Sequence, residues 1–253
     1  MEKKRYLEQI QLTGPVPRGS YLGGLPAVQA LARAPLDFPA DVTFFVGENG
    51  SGKSTLLEAI AVAAGFNPEG GSRSFHFSTA ATHSSLHQLL LLRRGRPMRG
   101  QGFFLRAESL YNVATNIDAL DADGMGPRII DAYGGISLHE QSHGESFFAL
   151  MCNRFRGQGL YLLDEPEAAL SPARQMAALV LLHQLAQQGA QFIIATHSPI
   201  LLAIPGACIY QFDEGGLHRT AYRDTMPYQL TRRFLDDPEG MLDKLLRDDA
   251  GAD

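Results

Sequence analysis

A chain of 253 residues, 45% hydrophobic and 19% charged, can bury a sizeable core in one or two domains and has the composition of a soluble globular protein. Its formal net charge of −5 excludes a generally basic nucleic-acid coat, although not a local basic patch. The two cysteines, Cys152 and Cys208, lie far apart in apolar runs with no CxxC, which argues against metal or redox roles and predicts buried, reduced thiols.

The N-terminus, Met1 to Arg5 followed by Tyr6 to Ile10, is too polar for a secretory h-region. Leu7 to Leu12 alternates weakly and predicts an early strand, 13–26 is a Gly- and Pro-rich loop, and Leu25 to Leu36 holds a short helix. Val42 to Val46 is a β-branched and aromatic run that reads as a buried strand. Gly47-Glu48-Asn49-Gly50-Ser51-Gly52-Lys53-Ser54-Thr55 follows and fits G-x-x-x-x-G-K-[ST]. Leu56 to Ala64 then reads as a helix stopped by Gly65.

Strand, glycine loop and helix are what a phosphate-binding loop requires. Glycines let backbone N–H groups turn towards an anion, and the helix N-terminus adds unpaired donors and the positive end of its dipole. Lys53 can reach the β- and γ-phosphates, and the Ser54 hydroxyl can ligate Mg²⁺.

From Asn67 to Ala81 the chain is rich in Gly, Ser and Thr, and Ser84 to Leu92 reads as helix or strand. Arg93 to Arg99 is a basic turn, which reads as a solvated loop ahead of a nucleic-acid contact. Gly102 to Glu108 looks like a strand ending in a polar residue, Ser109 to Leu120 suits a helix, and 121–137 is loop-like. Residues 66–136 are therefore expected to form an inserted, partly helical subdomain within a single domain spanning 1–253.

A helix is expected from about Gly144 to Arg156. Leu160 to Leu163 is a continuous apolar run ending in Asp164-Glu165, as a buried parallel strand that delivers carboxylates would look. Ser171-Pro172 starts a helix, with Ser as N-cap and Pro at its first position, and Gly189 ends it. Gln191 to Thr196 is another buried strand, delivering His197. A hairpin around 213–216 and two short acidic helices around Leu230–Leu235 and Met241–Leu246 close the chain. Phe192 to Ile204, interrupted by His197 and Pro199, is shorter than the roughly 20 apolar residues of a membrane span. A cytoplasmic protein without membrane insertion is the expectation. Strands alternating with helices predict an α/β core with a mainly parallel sheet flanked by helices.

Asp164 beside Ser54 would hold Mg²⁺, directly or through water, and Glu165 would act as general base or orient a water towards the γ-phosphate. Ser142-His143-Gly144-Glu145-Ser146 is a capping box, and a capped helix N-terminus beside a glycine is also an anion site. His139-Glu140-Gln141-Ser142-His143 also fits H-E-x-x-H, but a zinc site needs one unbroken helix across both histidines, and the capping box starts the helix after Ser142. His83 and His87, at i, i+4, read as packing or surface histidines. His197 at its strand end can hydrogen-bond a γ-phosphate. With no N-K-x-D guanine motif, ATP is the preferred nucleotide.

Together these segments resemble the ABC-type ATPases, the group holding transporter nucleotide-binding subunits and the SMC- and RecF-like DNA ATPases, and especially small stand-alone bacterial ATPases labelled AAA family ATPase. The resemblance covers nearly the whole chain, through 47–61, 102–109, 137–150, 160–172 and 191–203. It implies that Gly47 to Thr55 is Walker A, Asp164 the Walker B magnesium residue, Glu165 the catalytic glutamate, Ala169-Leu170-Ser171 part of the D-loop, and His197 the switch histidine. Ser142, Gly144 and Glu145 would belong to the signature that completes the opposite subunit's site, which implies a head-to-tail homodimer around two ATP molecules. The chain departs from the family at His143, where glycine is usual, and at Glu145, where transporters carry glutamine and glutamate is closer to the SMC-like branch. No glutamine follows the middle strand. Glu108 takes its place by strand position, and Gln101 lies on the wrong side. The implied activity is Mg²⁺-dependent ATP hydrolysis linked to DNA, to defence or to an unidentified protein partner. The alternatives are a transporter energy subunit and a slow nucleotide-gated binding module.

Overall fold

Side chains alternate across a strand, so a sheet covered on both faces needs apolar residues at odd and even positions alike. In the computed structural model, this requirement is met by two separate cores. The structure describes residues 4–17, 19–73, 84–98, 102–106, 143–213 and 216–248, with 114, 115, 117, 118, 121, 128, 130, 131, 135 and 139.

The chain opens with β1 (Gln9–Leu12), α1 (Pro26–Arg33) and β2 (Leu36–Asp37), then β3 (Val42–Gly47) and α2 (Lys53–Ala64). After a 3₁₀ turn at Ser85–Leu89 come β4 (Leu90–Arg93) and β5 (Gly102–Arg106). Next are α3 (His143–Arg154), β6 (Leu160–Asp164), α4 (Pro172–Gln187) and β7 (Gln191–Ala195). The hairpin β8 (Cys208–Asp213) and β9 (Gly216–Thr220) leads to α5 (Met226–Asp236) and α6 (Pro238–Asp248). The expected α/β class with a mainly parallel sheet is the fold observed. The main sheet runs β5-β6-β7-β3-β8-β9, parallel except for the β8–β9 pair, and β2-β1-β4 form a small antiparallel sheet.

Along β3, Val42, Phe44 and Val46 enter one core with Phe103, Tyr161 and Phe192, against Phe147, Leu150 and Met151 of α3 and Ala178 and Leu182 of α4. Phe45 enters the other with Phe104, Leu162 and Ile193, against α1, α2 and the small sheet. Each such burial contributes roughly 1.5–3 kcal/mol, and a register slip of one residue would exchange the faces. The two sheets are tied by the buried Gln191 side chain. Its Oε1 accepts from the Leu7 N–H (2.8 Å) and its Nε2 donates to the Leu7 carbonyl (2.7 Å).

Several expectations shift. Ser84–Leu92 is both a 3₁₀ turn and a strand. Within the expected insertion 66–136, residues 84–93 and 102–106 belong to the core, because β4 joins the small sheet and β5 the edge of the main one. The rest of that expectation lies largely outside the described residues. The thiols are not buried as expected: Cys208 is half-buried, and Cys152 is exposed because α3 turns Phe147, Leu150 and Met151 inward at helical spacing. The basic turn is not simply solvated. Arg96 lies 3.7 Å over the Tyr6 ring and donates to the Gly189 carbonyl, Arg94 donates to the Ala63 carbonyl (3.4 Å), and Arg93 faces Glu8 at 3.9 Å. Among the described residues no helix is long and apolar enough to cross a membrane.

Candidate functional site

The parallel strands β3, β6 and β7 end side by side, with Asp164 paired to Ala195 and Ala195 to Phe45. Whatever follows each strand therefore meets beyond the carboxyl ends of these strands, where open α/β folds bind ligands. Three segments do so: the glycine loop after β3, Asp164-Glu165 at the end of β6, and Thr196-His197 after β7.

The loop enters α2 through Gly52, whose φ of 93° is left-handed and favours glycine. No side chain caps this helix, in contrast to α4, where the Ser171 hydroxyl accepts from the Arg174 N–H. An uncapped helix start leaves its first N–H groups for an anion. Lys53 is buried, and its ammonium folds back to donate to the Gly47 (2.6 Å) and Glu48 (2.9 Å) carbonyls. Burial lowers the Lys53 pKa, opposed by the nearby Glu165, Asp164 and Glu167 carboxylates.

The Ser54 hydroxyl donates to Asp164 Oδ1 at 2.8 Å, so these two oxygens are neighbours. Burial raises the Asp164 pKa, and Arg106 and the Ser54 hydroxyl pull it back. Glu165 occupies a left-handed conformation (φ 48°, ψ 53°), strained for a residue with a Cβ, while its N–H donates to the Ala195 carbonyl (2.9 Å). Its Oε1 lies 3.7 Å from His197 Nε2. Two buried polar atoms beside the loop, Ser51 Oγ and His197 Nε2, have no hydrogen-bond partner among the described residues.

Two cavities flank the loop. One of about 420 Å³ is lined by Val46 to Ser51 with His197, Gln211 and Met226. The other, about 240 Å³, is lined by Asn49, Gly50, Gly52, Lys53, Ser54, Thr55 and Glu165. Gly144 and Glu145 line neither. Instead a Cβ on Gly144 would sit 2.7 Å from the Ala169 carbonyl oxygen, and Glu145 Oε1 accepts from Arg174 Nη2 at 3.0 Å. The start of α3 thus packs against the turn after Glu165 and against α4. Ser142 and Glu108 lie outside the described residues, as do Glu140 of the zinc-like run and His83. α3 begins at His143, and among the described residues no group of three His, Cys, Asp or Glu could hold a metal by itself.

Two family models match this chain in successive parts. "AAA domain" covers residues 28–90, from α1 through the glycine loop to the start of β4. "AAA domain, putative AbiEii toxin, Type IV TA system" covers 114–203, which takes in α3, both acids and His197. A curated relative, "Putative ABC transporter ATP-binding protein" of Streptomyces avermitilis, is 31% identical over 188 residues. That alignment takes in 70% of this chain, which spans about a third (32%) of the relative's length. The two AAA-domain matches and this relative together support a P-loop ATPase of the ABC type. Two solved structures are also similar. One is titled "An inward-facing conformation of a putative metal-chelate type ABC transporter" (16% identity, 87% of this chain and 84% of that one, TM-score 0.49). The other is the "SMC head domain from Thermotoga maritima" (17%, 85% and 98%, TM-score 0.44).

The structure also places at the site residues that the sequence did not single out. Glu167 is buried. Its Oε2 accepts from the Thr196 hydroxyl (2.7 Å) and its Oε1 from the His197 N–H, so the turn after Glu165 grips the loop that carries the histidine. Burial raises the Glu167 pKa, opposed by those two donors. Arg106, at the end of β5, donates to Asp164 Oδ2 (3.1 Å) and to Glu58 Oε2 (2.7 Å). The sequence shows Glu58 only as a charge within the apolar run 56–64. Four residues after Ser54, it shares that residue's helix face, the one available signal that it faces the site.

Proposed function

We propose that this chain binds ATP with Mg²⁺, closes as a homodimer around two nucleotides and hydrolyses them. The observation that carries this reading is the convergence of Lys53, the Ser54–Asp164 pair and the Glu165–His197 pair on one loop that begins an uncapped helix.

The residues present fit the ligands. Ser51 Oγ and His197 Nε2 are buried and unsatisfied beside the loop, as groups awaiting an anionic ligand would be. Ser54 Oγ and Asp164 Oδ1 are adjacent hard oxygens of the type Mg²⁺ prefers. They would hold the ion, which when bound would neutralise charge on the phosphates. Lys53 would exchange its two carbonyl acceptors for phosphate oxygens. Glu165, half-exposed and beside His197, would orient a water or take its proton as the water oxygen bonds to the γ-phosphorus and the bond to the β-phosphate oxygen breaks. His197 would donate to the γ-phosphate. Glu108 stays a proposed contributor near the ion, on the family pattern alone.

The dimer reading is supported by Gly144 and Glu145, which pack on Ala169 and Arg174 and line neither cavity at the loop. Within one chain they line neither cavity at the loop, whereas a second copy could present them, with Ser142, across the open side. ATP turnover should therefore rise with protein concentration, and turnover per chain that is constant down to a verified monomer would sink the dimer.

For the process driven, the SMC-like Glu145 favours a DNA-linked role; in the basic turn Arg96 is tied to Tyr6 and Gly189, whereas Arg93 and Arg94 are exposed. Similarity to the Streptomyces avermitilis putative transporter ATP-binding protein supports the second reading, an energy subunit of a transporter. Turnover measured with and without DNA across a salt series separates them.

A further inference from the structure

The end of β5 carries a guanidinium, that of Arg106, to which the proposed nucleotide chemistry gives no part. Arg106 and Asp164 are register partners on adjacent parallel strands, so their side chains leave the sheet on the same face, towards α2. On α2, Ser54 and Glu58 are one turn apart. The four side chains form one chain of contacts: the Ser54 hydroxyl to Asp164 Oδ1, Arg106 Nε to Asp164 Oδ2, and Arg106 Nη1 to Glu58 Oε2. Glu58 is held from behind, its Oε1 accepting from the Ser84 N–H at 3.1 Å. All three charged side chains are largely shielded, with 24%, 12% and 8% exposure for Arg106, Glu58 and Asp164.

A carboxylate can rotate and offer either oxygen. Here the guanidinium engages one Asp164 oxygen and leaves the other facing Ser54. Arg106 is itself fixed by Glu58, so it cannot follow Asp164 if that side chain turns. We propose that Arg106 is a positioning residue for the divalent cation that accompanies the nucleotide. Anchored by Glu58, it fixes Asp164 so that Oδ1 and Ser54 Oγ form a ready pair of oxygen donors. The inference rests on the Mg²⁺ reading above. A purely structural role, neutralising Glu58 between α2 and the sheet, would change stability without changing the response to Mg²⁺. Partners that orient a metal-binding carboxylate typically account for about 10–100-fold in metal affinity.

The test is the binding of a fluorescent, non-hydrolysable ATP analogue to the full chain, titrated in EDTA and in Mg²⁺, for wild type, Arg106→Met, Arg106→Lys and Glu58→Gln. Wild type should bind more tightly in Mg²⁺. Arg106→Met should lose that gain by roughly ten-fold or more while its affinity in EDTA stays within about two-fold of wild type. Arg106→Lys and Glu58→Gln should each lose part of the gain. A lysine lacks the fork that reaches both carboxylates, and a neutral amide in place of the Glu58 carboxylate no longer anchors the guanidinium by charge. A wild-type Mg²⁺ gain in Arg106→Met would overturn the inference, as would equal losses in EDTA and Mg²⁺. If Arg106→Met does not fold, unchanged gains in both milder variants overturn it. A wild type indifferent to Mg²⁺ would remove the cation reading and this inference together, whereas a responsive wild type beside an equally responsive Arg106→Met removes the inference alone.

Discussion

Asp164 and Glu165 are neighbours in sequence and identical in charge, yet they occupy opposite kinds of surroundings. The Asp164 side chain is 8% exposed and held by Arg106 and Ser54, whereas the Glu165 side chain is 43% exposed, with His197 3.7 Å away and its backbone strained. The difference follows from where the strand ends. Asp164 is the last residue in register with β5 and β7 and points at α2, while Glu165 has left the sheet. A group that holds an ion gains from being fixed beforehand, and a group that handles a proton or a water needs access and room. One end of a single strand thus supplies a locked position and an open one.

The comparison can be broken at the open position first. Glu165→Gln should keep nucleotide affinity, lower turnover by roughly 100- to 10,000-fold, and accumulate an ATP-bound dimer in size-exclusion chromatography. Unchanged turnover would remove Glu165 from the chemistry. At the locked side, Lys53→Ala should weaken nucleotide binding by about 10- to 100-fold, the worth of charge-assisted hydrogen bonds of about 1.5–3 kcal/mol. A wild-type titration curve would take Lys53 out of the site. Gly144→Val drives a side chain into the Ala169 carbonyl and should lower turnover by about ten-fold without changing nucleotide binding to the monomer. Loss of monomer binding as well would contradict a role across the dimer.

Smaller effects sharpen the comparison. Glu165→Gly relieves the left-handed strain and should raise unfolding free energy by about 1 kcal/mol while abolishing turnover, so that stability and activity move in opposite directions. Destabilisation by this change would refute the strain argument. Glu167 tests the grip on the histidine loop through pH. Its pKa is raised by burial, so the folded chain holds a proton that the unfolded chain has released. Its contribution to stability is therefore complete below the ordinary carboxylate pKa and is lost as pH rises through the raised value. In Glu167→Gln that part of the decline should vanish from denaturant titrations across the acidic range. An identical pH profile in the variant would show that Glu167 does not titrate differently on folding.

The sequence made the glycine loop, both acids, His197 and the Ser171 cap legible because each is local: a turn, a strand end or a helix start is fixed by residues within a few positions. It also set the α/β class, since continuous apolar runs between helices require a sheet covered on both faces. Arg106, Glu58 and Glu167 were not legible, because a single charged residue in an apolar stretch looks the same whether it meets solvent or a partner far along the chain, as Arg106 and Glu58 are to each other. The exposure of Cys152 and the binding of Arg96 to Tyr6 and Gly189 are of the same kind. The amino-acid order alone determined that a phosphate loop and two acid- or histidine-tipped strands exist. Only the tertiary structure decided which carboxylate is held and which is left open, because strand register and the packing of α2 place Arg106 beside Asp164 and leave Glu165 beyond the end of the sheet.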